Sequence, residues 1–237
     1  MKNNLIRLNK YISNSGLCTR RQADNYILNG RVSVDGKTIT ILGSKILTNS
    51  KVRVDGKLIV NKQFKYLLLN KPSDFDLNKN NNKNIFNLVK SSKVEELDTD
   101  EVINNDFLGL VVLSNDKSFN HEFLKSLNQK KQLFHIKLDN ELCSENKEQI
   151  RKTNSKKIKI YSIDYVSSSS KNEIGIELTT DSVSNIYNIF KKLDYKIVSL
   201  DRVLLANFSK KDLGRGKWRF IEKIELSNFS SFWACPN

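Results

Sequence analysis

A short pattern that occurs twice near the amino terminus constrains the fold more than any other feature of the sequence. Residues 32–37 and 52–57 both read Val-x-Val-Asp-Gly-Lys. Alternation of apolar and polar residues is typical of half-buried strands, and Asp-Gly is a dipeptide that two-residue hairpin turns favour. We therefore predict two β-hairpins in one small sheet, each turning at its Asp-Gly pair.

The residues before these hairpins have helical spacing. Leu8, Tyr11 and Ile12 would share the apolar face of a first short helix, which ends at a Ser-Gly stop. Thr19 is followed three residues later by Gln22, the capping-box pattern that begins a second helix. Together, the two helices and the hairpins predict a small helix–turn–helix and hairpin domain over residues 1–60.

The same segment holds most of the positive charge. The chain has 237 residues, 40 Lys and Arg, 26 Asp and Glu, and a formal net charge of +14. Residues 1–60 contain eleven of these cations and only three Asp, a net +8. Such a concentration indicates a polyanionic partner, most often nucleic acid. Because Lys outnumbers Arg 31 to 9 and Asn is abundant, we attribute part of the lysine content to an AT-rich genome and give the arginines more weight.

Other classes of protein fit the sequence poorly. No apolar run approaches the ~18–20 residues of a membrane span, and the basic residues do not lie on one long amphipathic helix that would bind a membrane surface. The three cysteines, Cys18, Cys143 and Cys235, are far apart and form neither a disulfide framework nor a zinc motif. We expect no metal and, without a secretory leader, a reducing cytoplasm.

The rest of the chain predicts a larger domain of mixed α+β class. Residues 61–64 are interpreted as a linker, and 65–237 as the second domain. No repeat of 20–50 residues indicates a solenoid. The predicted elements are strands at 66–70, 108–113, 133–138, 157–166, 174–179, 197–205 and 218–224, and helices at 117–127 and 182–193.

Three motifs of the first segment resemble the S4 RNA-binding domain: residues 7–12 (Arg-Leu-Asn-Lys-Tyr-Ile), 16–23 (Gly-Leu-Cys-Thr-Arg-Arg-Gln-Ala) and 29–36 (Asn-Gly-Arg-Val-Ser-Val-Asp-Gly). The resemblance implies RNA binding that depends more on shape than on base sequence. Helix N-termini present free N–H groups to phosphates, and guanidinium groups bind them with two donors. The residues expected to contact RNA are Arg7, Lys10, Thr19, Arg20, Arg21 and Arg31.

Residues 65–237 resemble the catalytic domain of the RsuA/RluB-type pseudouridine synthases. The motifs that carry the resemblance are residues 67–72, 85–89, 109–116, 200–202 and 213–219. Enzymes of this family isomerise a uridine flipped out of ribosomal RNA. They use an Asp carboxylate, a Tyr that packs on the base and an Arg that pairs with the Asp, without metal or organic cofactor. The resemblance thus implies an S4-like domain followed by a synthase-like α+β domain, with ribosomal RNA as the partner.

All three catalytic positions of that family are altered here. Asn104, five residues before Gly109, stands at the position of the Asp, and an amide is neutral and a poor nucleophile. Phe134 stands at the position of the Tyr, so the ring for base stacking is kept and the hydroxyl is lost. The position of the Arg falls near Tyr187 or Asn188. Three losses within a retained scaffold predict that the fold has stayed and catalysis has gone.

Two carboxylates could restore the activity, and they define the alternative. Asp106 would share a face with Asn104 if this segment is extended. Asp98 lies in a Leu-Asp-Thr-Asp sequence that would need an insertion before the following motif. His135 could act as a replacement base, although a lone His on a strand is more often structural.

We therefore expect an rRNA-binding, non-catalytic ribosome-associated or assembly factor. The alternative is a divergent pseudouridine synthase that uses Asp106 or Asp98 as its nucleophile. A third class is a protein–protein adaptor whose S4-like domain docks on protein, and it predicts RNA affinity that does not depend on salt.

Overall fold

The computed structural model describes residues 5–60, 64–167 and 169–227. Contacts within the chain divide it into two compact units, Met1–Phe64 and Lys65–Asn237. The predicted linker at 61–64 lies outside the described residues except for Phe64. Within the described ranges, no helix is long and apolar enough to cross a membrane.

The first unit consists of two short helices and two small sheets. Its elements are β1 (Leu5–Arg7), α1 (Leu8–Asn14), α2 (Arg20–Leu28), β2 (Val32–Val34), β3 (Lys37–Thr38), β4 (Lys45–Leu47), β5 (Val52–Val54) and β6 (Lys57–Ile59). Four strands form an antiparallel sheet in the order β3-β2-β5-β6, and β1 pairs with β4. Asp35 and Asp55 have φ values of 49° and 50°, and the glycines after them are also left-handed, as the predicted hairpin turns require.

The capping box that begins α2 is present as predicted. The backbone N–H of Thr19 donates to Gln22 Oε1 at 2.9 Å, and the N–H of Gln22 donates to Thr19 Oγ1 at 3.3 Å. The apolar faces of both helices then pack on the sheet through a core that includes Leu8, Ile12 and Ile27. Local sequence signals therefore suffice to predict the helices and hairpins of this unit.

The second unit is built around one long mixed sheet. Its strands are β7 (Tyr66–Lys71), β8 (Phe107–Ser114), β9 (Gln132–Leu138), β10 (Ile158–Tyr165), β11 (Glu173–Thr180), β12 (Ile197–Leu205), β13 (Phe208–Ser209) and β14 (Trp218–Phe220). Its helices are α3 (Ile85–Leu88), α4 (Lys117–Ser126), α5 (Ser144–Arg151), α6 (Ser184–Lys191) and α7 (Lys223–Ser227), with 3-10 turns at Lys90–Ser92 and Leu127–Gln129. The predicted α+β class is confirmed.

The strands follow the order β10-β11-β9-β12-β8-β7-β14, with β13 beside β12. Only the β12–β8 pair is parallel among the described pairings. One core lies on one face of the sheet and includes Phe107 of β8, Phe134 of β9 and Phe190 of α6. A second core packs α4 on β7 and β8 through Phe119 and Phe123. The central strands are thus buried on both faces, which suits their continuous apolar sequence.

The carboxyl end differs from the prediction. The strand expected over 218–224 stops at Phe220, and α7 begins at Lys223. Helix α5 was not predicted, because Ile150 is its only buried residue and so its sequence has no apolar period.

Gly109 explains why the motif that opens β8 contains glycine. Its φ is +93°, and a Cβ there would lie 2.3 Å from the carbonyl oxygen of Arg202 and 2.5 Å from Asp201 Oδ1. Any side chain would force β8 away from β12, so this glycine sets the close approach of the two strands. The residues just before β8 carry the candidate site.

Candidate functional site

Residues 101–106, called the site loop here, lead into β8 and contain Asn104. The carbonyl oxygen of Asn104 accepts the N–H of Phe107 at 3.3 Å, which closes a turn with Asn105 and Asp106 at its centre. The segment is therefore not extended, and Asp106 does not share a strand face with Asn104 as the sequence suggested. Both side chains are exposed.

The structure brings together two of the altered family positions. Tyr187 on α6 donates its hydroxyl to Asn104 Oδ1 at 3.5 Å. Burial raises the pKa of Tyr187, and the nearby carboxylate of Asp106 raises it too, whereas the hydrogen bond to Asn104 lowers it. The phenol is therefore neutral at pH 7. A neutral amide–phenol contact occupies the place where the resemblance implies an Asp–Arg ion pair.

Hydrogen bonds from a fully buried lysine hold the turn of the site loop. Lys71, at the end of β7, donates from Nζ to the carbonyl oxygens of Pro72 (3.2 Å), Asn105 (2.9 Å) and Phe107 (2.6 Å). Burial lowers its pKa to about 8, against the opposite effect of surrounding carboxylates, of which Asp106 contributes most. Since the three hydrogen bonds use all three protons of the ammonium, Lys71 is a structural anchor for the site loop.

The start of the site loop is held by a buried ion pair. Glu101 Oε2 lies 2.7 Å from Arg202 Nη2, and neither side chain is more than 4% exposed. Arg202 also donates to the carbonyl oxygen of Leu110 at 2.8 Å and to Gln132 Oε1 at 3.1 Å. This pair joins the site loop to β8, β9 and β12 at once.

Asp201, the neighbour of Arg202, carries a second ionic cluster. Its Oδ2 lies 2.6 Å from Arg215 Nη2 and 2.7 Å from Lys210 Nζ. Burial by itself raises the pKa of Asp201, but the hydrogen bonds from Arg215 and Lys210 outweigh it and hold the pKa below its usual value. Sequence analysis recognised Asp201 and Arg202 only as part of a family motif, since their partners lie far away in sequence.

Phe134 and His135 occupy opposite faces of β9. Phe134 has no exposed surface and is part of the core, so a base could stack on its ring only after neighbouring side chains move. His135 is half-exposed, and its Nε2 lies 3.2 Å from Glu173 Oε2. The histidine therefore pairs with a carboxylate on the outer face of the sheet and lies on the opposite face from the core.

Asp98, the other alternative nucleophile, lies far from the site loop. Its backbone forms a β-bridge with Ser114, the last residue of β8, whereas Asn104 precedes the first residue of that strand. Eight strand residues span about 25 Å. Asp98 lies instead 3.7 Å from Lys79. The structure thus separates Asp98 from Asn104 and Tyr187 and leaves Asp106 as the nearby carboxylate.

The basic residues predicted in the first unit differ in their surroundings. Arg7 precedes α1, Lys10 lies on its outer side, and Arg20 and Arg21 begin α2. In the described part of the chain these four cations form no ion pair. Arg31 differs, because its Nε and Nη2 donate to Asp55 at 2.8 and 2.5 Å and its guanidinium lies 4.3 Å from the ring centre of Tyr26.

The remaining predicted contact, Thr19, already uses its side chain in the α2 cap. The four cations around α1 and α2 thus remain available to an anionic ligand, together with other exposed cations such as Lys37 and Lys51, and RNA would compete with Asp55 for Arg31. Elsewhere, the described residues contain no cluster of three or more His, Cys, Asp or Glu that could hold a metal ion.

Comparison with known proteins agrees with both units. Residues 6–52 match the model of the S4 domain. Over 236 residues, the chain is 28% identical to the dual-specificity RNA pseudouridine synthase RluF of Escherichia coli, covering 93% of this chain and 77% of that protein. It is also 38% identical over 68 residues to an uncharacterized RNA pseudouridine synthase of Aquifex aeolicus, covering 28% of this chain and 27% of the relative.

A crystal structure of a pseudouridylate synthase has the same fold. It aligns with a TM-score of 0.59 and 19% identity, covering 95% of this chain and all of that one. The S4 match, the relatives that span nearly the whole chain and the shared fold of both units agree with one another. Residues 6–52 thus match the S4 domain, most of the chain is similar in sequence to RNA pseudouridine synthases, and the fold is that of a pseudouridylate synthase.

Proposed function

We propose that this protein binds RNA, chiefly ribosomal RNA, and that its synthase-like unit no longer isomerises uridine. The observation that carries the proposal is the contact between Asn104 and Tyr187, because both members are neutral. The family chemistry needs an anionic oxygen that attacks the nucleotide, and an amide supplies none. The protein would then act as a ribosome-associated or assembly factor in the cytoplasm.

RNA as the partner is supported by the first unit. Arg7, Lys10, Arg20 and Arg21 are cations without ion pairs in the described structure, and two of them lie at the start of α2, where free N–H groups favour phosphate. The names of the relatives, RNA pseudouridine synthases, support the same partner.

Crosslinking in the source organism tests the partner. Ultraviolet crosslinking followed by sequencing should recover ribosomal RNA fragments, and binding in vitro should weaken steeply as salt rises, because counterions compete for the phosphates. The double variant Arg20→Ala, Arg21→Ala should bind roughly 100-fold more weakly or worse, since each of the two lost charge-assisted contacts costs about 1.5–3 kcal/mol. Crosslinks without ribosomal RNA would contradict the ribosomal assignment, and salt-independent binding would favour the protein–protein adaptor.

The second candidate is a divergent synthase in which Asp106 is the nucleophile. Asp106 favours it because this carboxylate is exposed on the turn beside Asn104 and acts electrostatically on both Tyr187 and Lys71. Pseudouridine mapping of ribosomal RNA with and without the gene separates the two functions. Our proposal expects no site to disappear with the gene.

A pair of matched variants sharpens that mapping. If a site does disappear, complementation with Asp106→Ala should fail to restore it, whereas Asp98→Ala, at the far end of β8, should restore it fully. That outcome would establish activity and overturn the loss of catalysis.

A further inference from the structure

A groove of about 580 Å³ opens on the synthase-like unit between the loop that joins α5 to β10 and helix α6. Two isoleucines form its apolar floor, and three lysines line it: Lys157, Lys191 and Lys192. Asn185 and Asn188 add amide groups from α6. The groove therefore combines a largely apolar lining with three lysine side chains.

The charge of this groove is unbalanced, unlike most of the surface around it. None of its lining residues is acidic, and among the residues described none of the three lysines forms an ion pair. On the open face of the same sheet, by contrast, Lys131 pairs with Glu177 and Lys137 pairs with Glu173. The groove therefore presents three lysine ammonium groups without an ion pair to an anionic ligand, next to the carboxylate of Asp181, which hydrogen-bonds to Asn185.

The carboxylate of Asp181 is hydrogen-bonded to Asn185, a residue of the groove lining. Its Oδ1 accepts the side-chain N–H of Asn185 at 2.8 Å, and the same amide donates to Thr180 Oγ1 at 3.1 Å. Asn185 is thereby held in place at the end of the groove. The amide of Asn188, one turn later and exposed, has no hydrogen-bond partner in the described structure.

Helix α6 links the groove to the candidate site. Residues 185, 188 and 192 are three or four apart and lie along one side of the helix, as neighbours at that spacing do. Tyr187 projects from another side and contacts Asn104. A nucleotide at Asn104 and a ligand in the groove would therefore touch the same helix.

We propose that the groove binds the sugar–phosphate backbone of an RNA strand that extends from the nucleotide at the site loop. Lysine ammonium groups bind phosphates as point charges, and asparagine amides bind sugar and phosphate oxygens without reading sequence. This inference rests on the proposed RNA-binding function, to which it adds a second contact surface outside the S4-like unit.

The experiment removes the charge from the groove and compares a matched control. The triple variant Lys157→Gln, Lys191→Gln, Lys192→Gln is measured against Lys117→Gln, Lys171→Gln, Lys211→Gln, three exposed lysines that do not line the groove. The probe is fragmented ribosomal RNA from Escherichia coli. The groove variant should bind about 10-fold more weakly, and its slope of log affinity against log salt should shrink by about 2. The control should retain wild-type slope and affinity within about 2-fold.

A footprint on the wild-type protein provides the second readout. Chemical acetylation followed by mass spectrometry should show Lys157, Lys191 and Lys192 protected by the RNA, and Lys117 and Lys211 equally reactive with and without it. This measurement does not depend on how well a variant folds.

The outcomes separate this inference from the proposed function. If the groove variant binds as tightly as wild type, with no protection of its lysines, while Arg20→Ala, Arg21→Ala still loses affinity, the groove is not an RNA surface and the RNA-binding function stands. If the wild-type protein binds no RNA, both proposals fall.

Discussion

Two sets of polar contacts meet at the site loop of the synthase-like unit, and they differ in charge. Behind the loop, Glu101 pairs with Arg202 at 2.7 Å and both are buried. At its exposed tip, Asn104 meets Tyr187 at 3.5 Å, and neither carries a charge at pH 7. The ionic contact joins four segments of the unit, whereas the neutral one joins the tip of a loop to one helix.

The buried ion pair contributes to the stability of the fold, whereas the exposed contact lies where the family resemblance implies the catalytic residues. A buried charge that loses its partner costs several kcal/mol, so a change of one member alone is strongly destabilising. An exposed polar contact adds little to stability, so its residues are free to change once their chemistry is not required. The comparison predicts large stability effects behind the loop and small ones at its tip.

Arg202→Met should produce the largest effect. It leaves the Glu101 carboxylate buried without a cation, at a cost of about 3–5 kcal/mol in the free energy of unfolding. Urea denaturation measures it. The double variant Arg202→Met, Glu101→Leu should recover much of the loss, because it removes the stranded charge. If Arg202→Met alone lowers the free energy of unfolding by less than about 1 kcal/mol, the buried ion pair matters no more for stability than the exposed contact does.

Lys71→Met comes next, at about 3 kcal/mol. It removes the three hydrogen bonds to Pro72, Asn105 and Phe107, and the buried one to Phe107 weighs most, since the carbonyl oxygen of Asn105 still accepts the N–H of Asp74. Hydrogen exchange should show the N–H of Phe107 losing protection before the rest of β8. Lys217→Met is the matched control, since that side chain is exposed and should change the free energy of unfolding by less than about 0.5 kcal/mol.

Local signals were sufficient for the first unit and only partly so for the second. The Asp-Gly turns and the Thr19 cap depend on residues within four positions of each other, so the sequence predicts them. Motif resemblance placed the Asp position of the family at Asn104 and its Arg position near Tyr187 or Asn188, and the structure brings Tyr187 into contact with Asn104.

What sequence reasoning missed depends on contacts between distant segments. Arg31 was expected to contact RNA, and local sequence did not indicate its ion pair with Asp55, 24 residues away. Asp106 would share a strand face with Asn104 in an extended segment, but the segment forms a turn that Lys71 holds. Phe134 was expected to meet a base, yet its burial depends on packing that the spacing of residues does not show.

Asp201→Asn tests the second ionic cluster and carries the pH dependence. Because the folded pKa of Asp201 lies below its unfolded value near 4, its stabilisation is present above about pH 4 and is lost as pH falls through the folded pKa. We expect a loss of about 2 kcal/mol at pH 6 that shrinks by pH 3, measured by urea denaturation at both values.

The control for this prediction is Asp164→Asn. The Asp164 side chain is 82% exposed and accepts hydrogen bonds from Lys147 Nζ and from the N–H of Tyr165, so the change should cost less than about 0.5 kcal/mol at pH 6. Equal losses in the two variants would mean that burial of Asp201 does not strengthen its ion pairs.

The smallest stability effect is expected at the tip of the site loop, and it leads to the sharpest functional test. Asn104→Ala should change the free energy of unfolding by less than about 0.5 kcal/mol, since it removes one long, exposed hydrogen bond. Asn104→Asp with Tyr187→Arg restores the opposite charges that the family resemblance implies, at a larger cost in stability than Asn104→Ala because the Tyr187 ring is half-buried and packs against the core. If charge at these two positions is all that catalysis lacks, pseudouridine should form in ribosomal RNA incubated with the double variant and with neither single variant. If none forms, the buried ring of Phe134 is the further obstacle, because a base cannot stack on a surface that the core already covers.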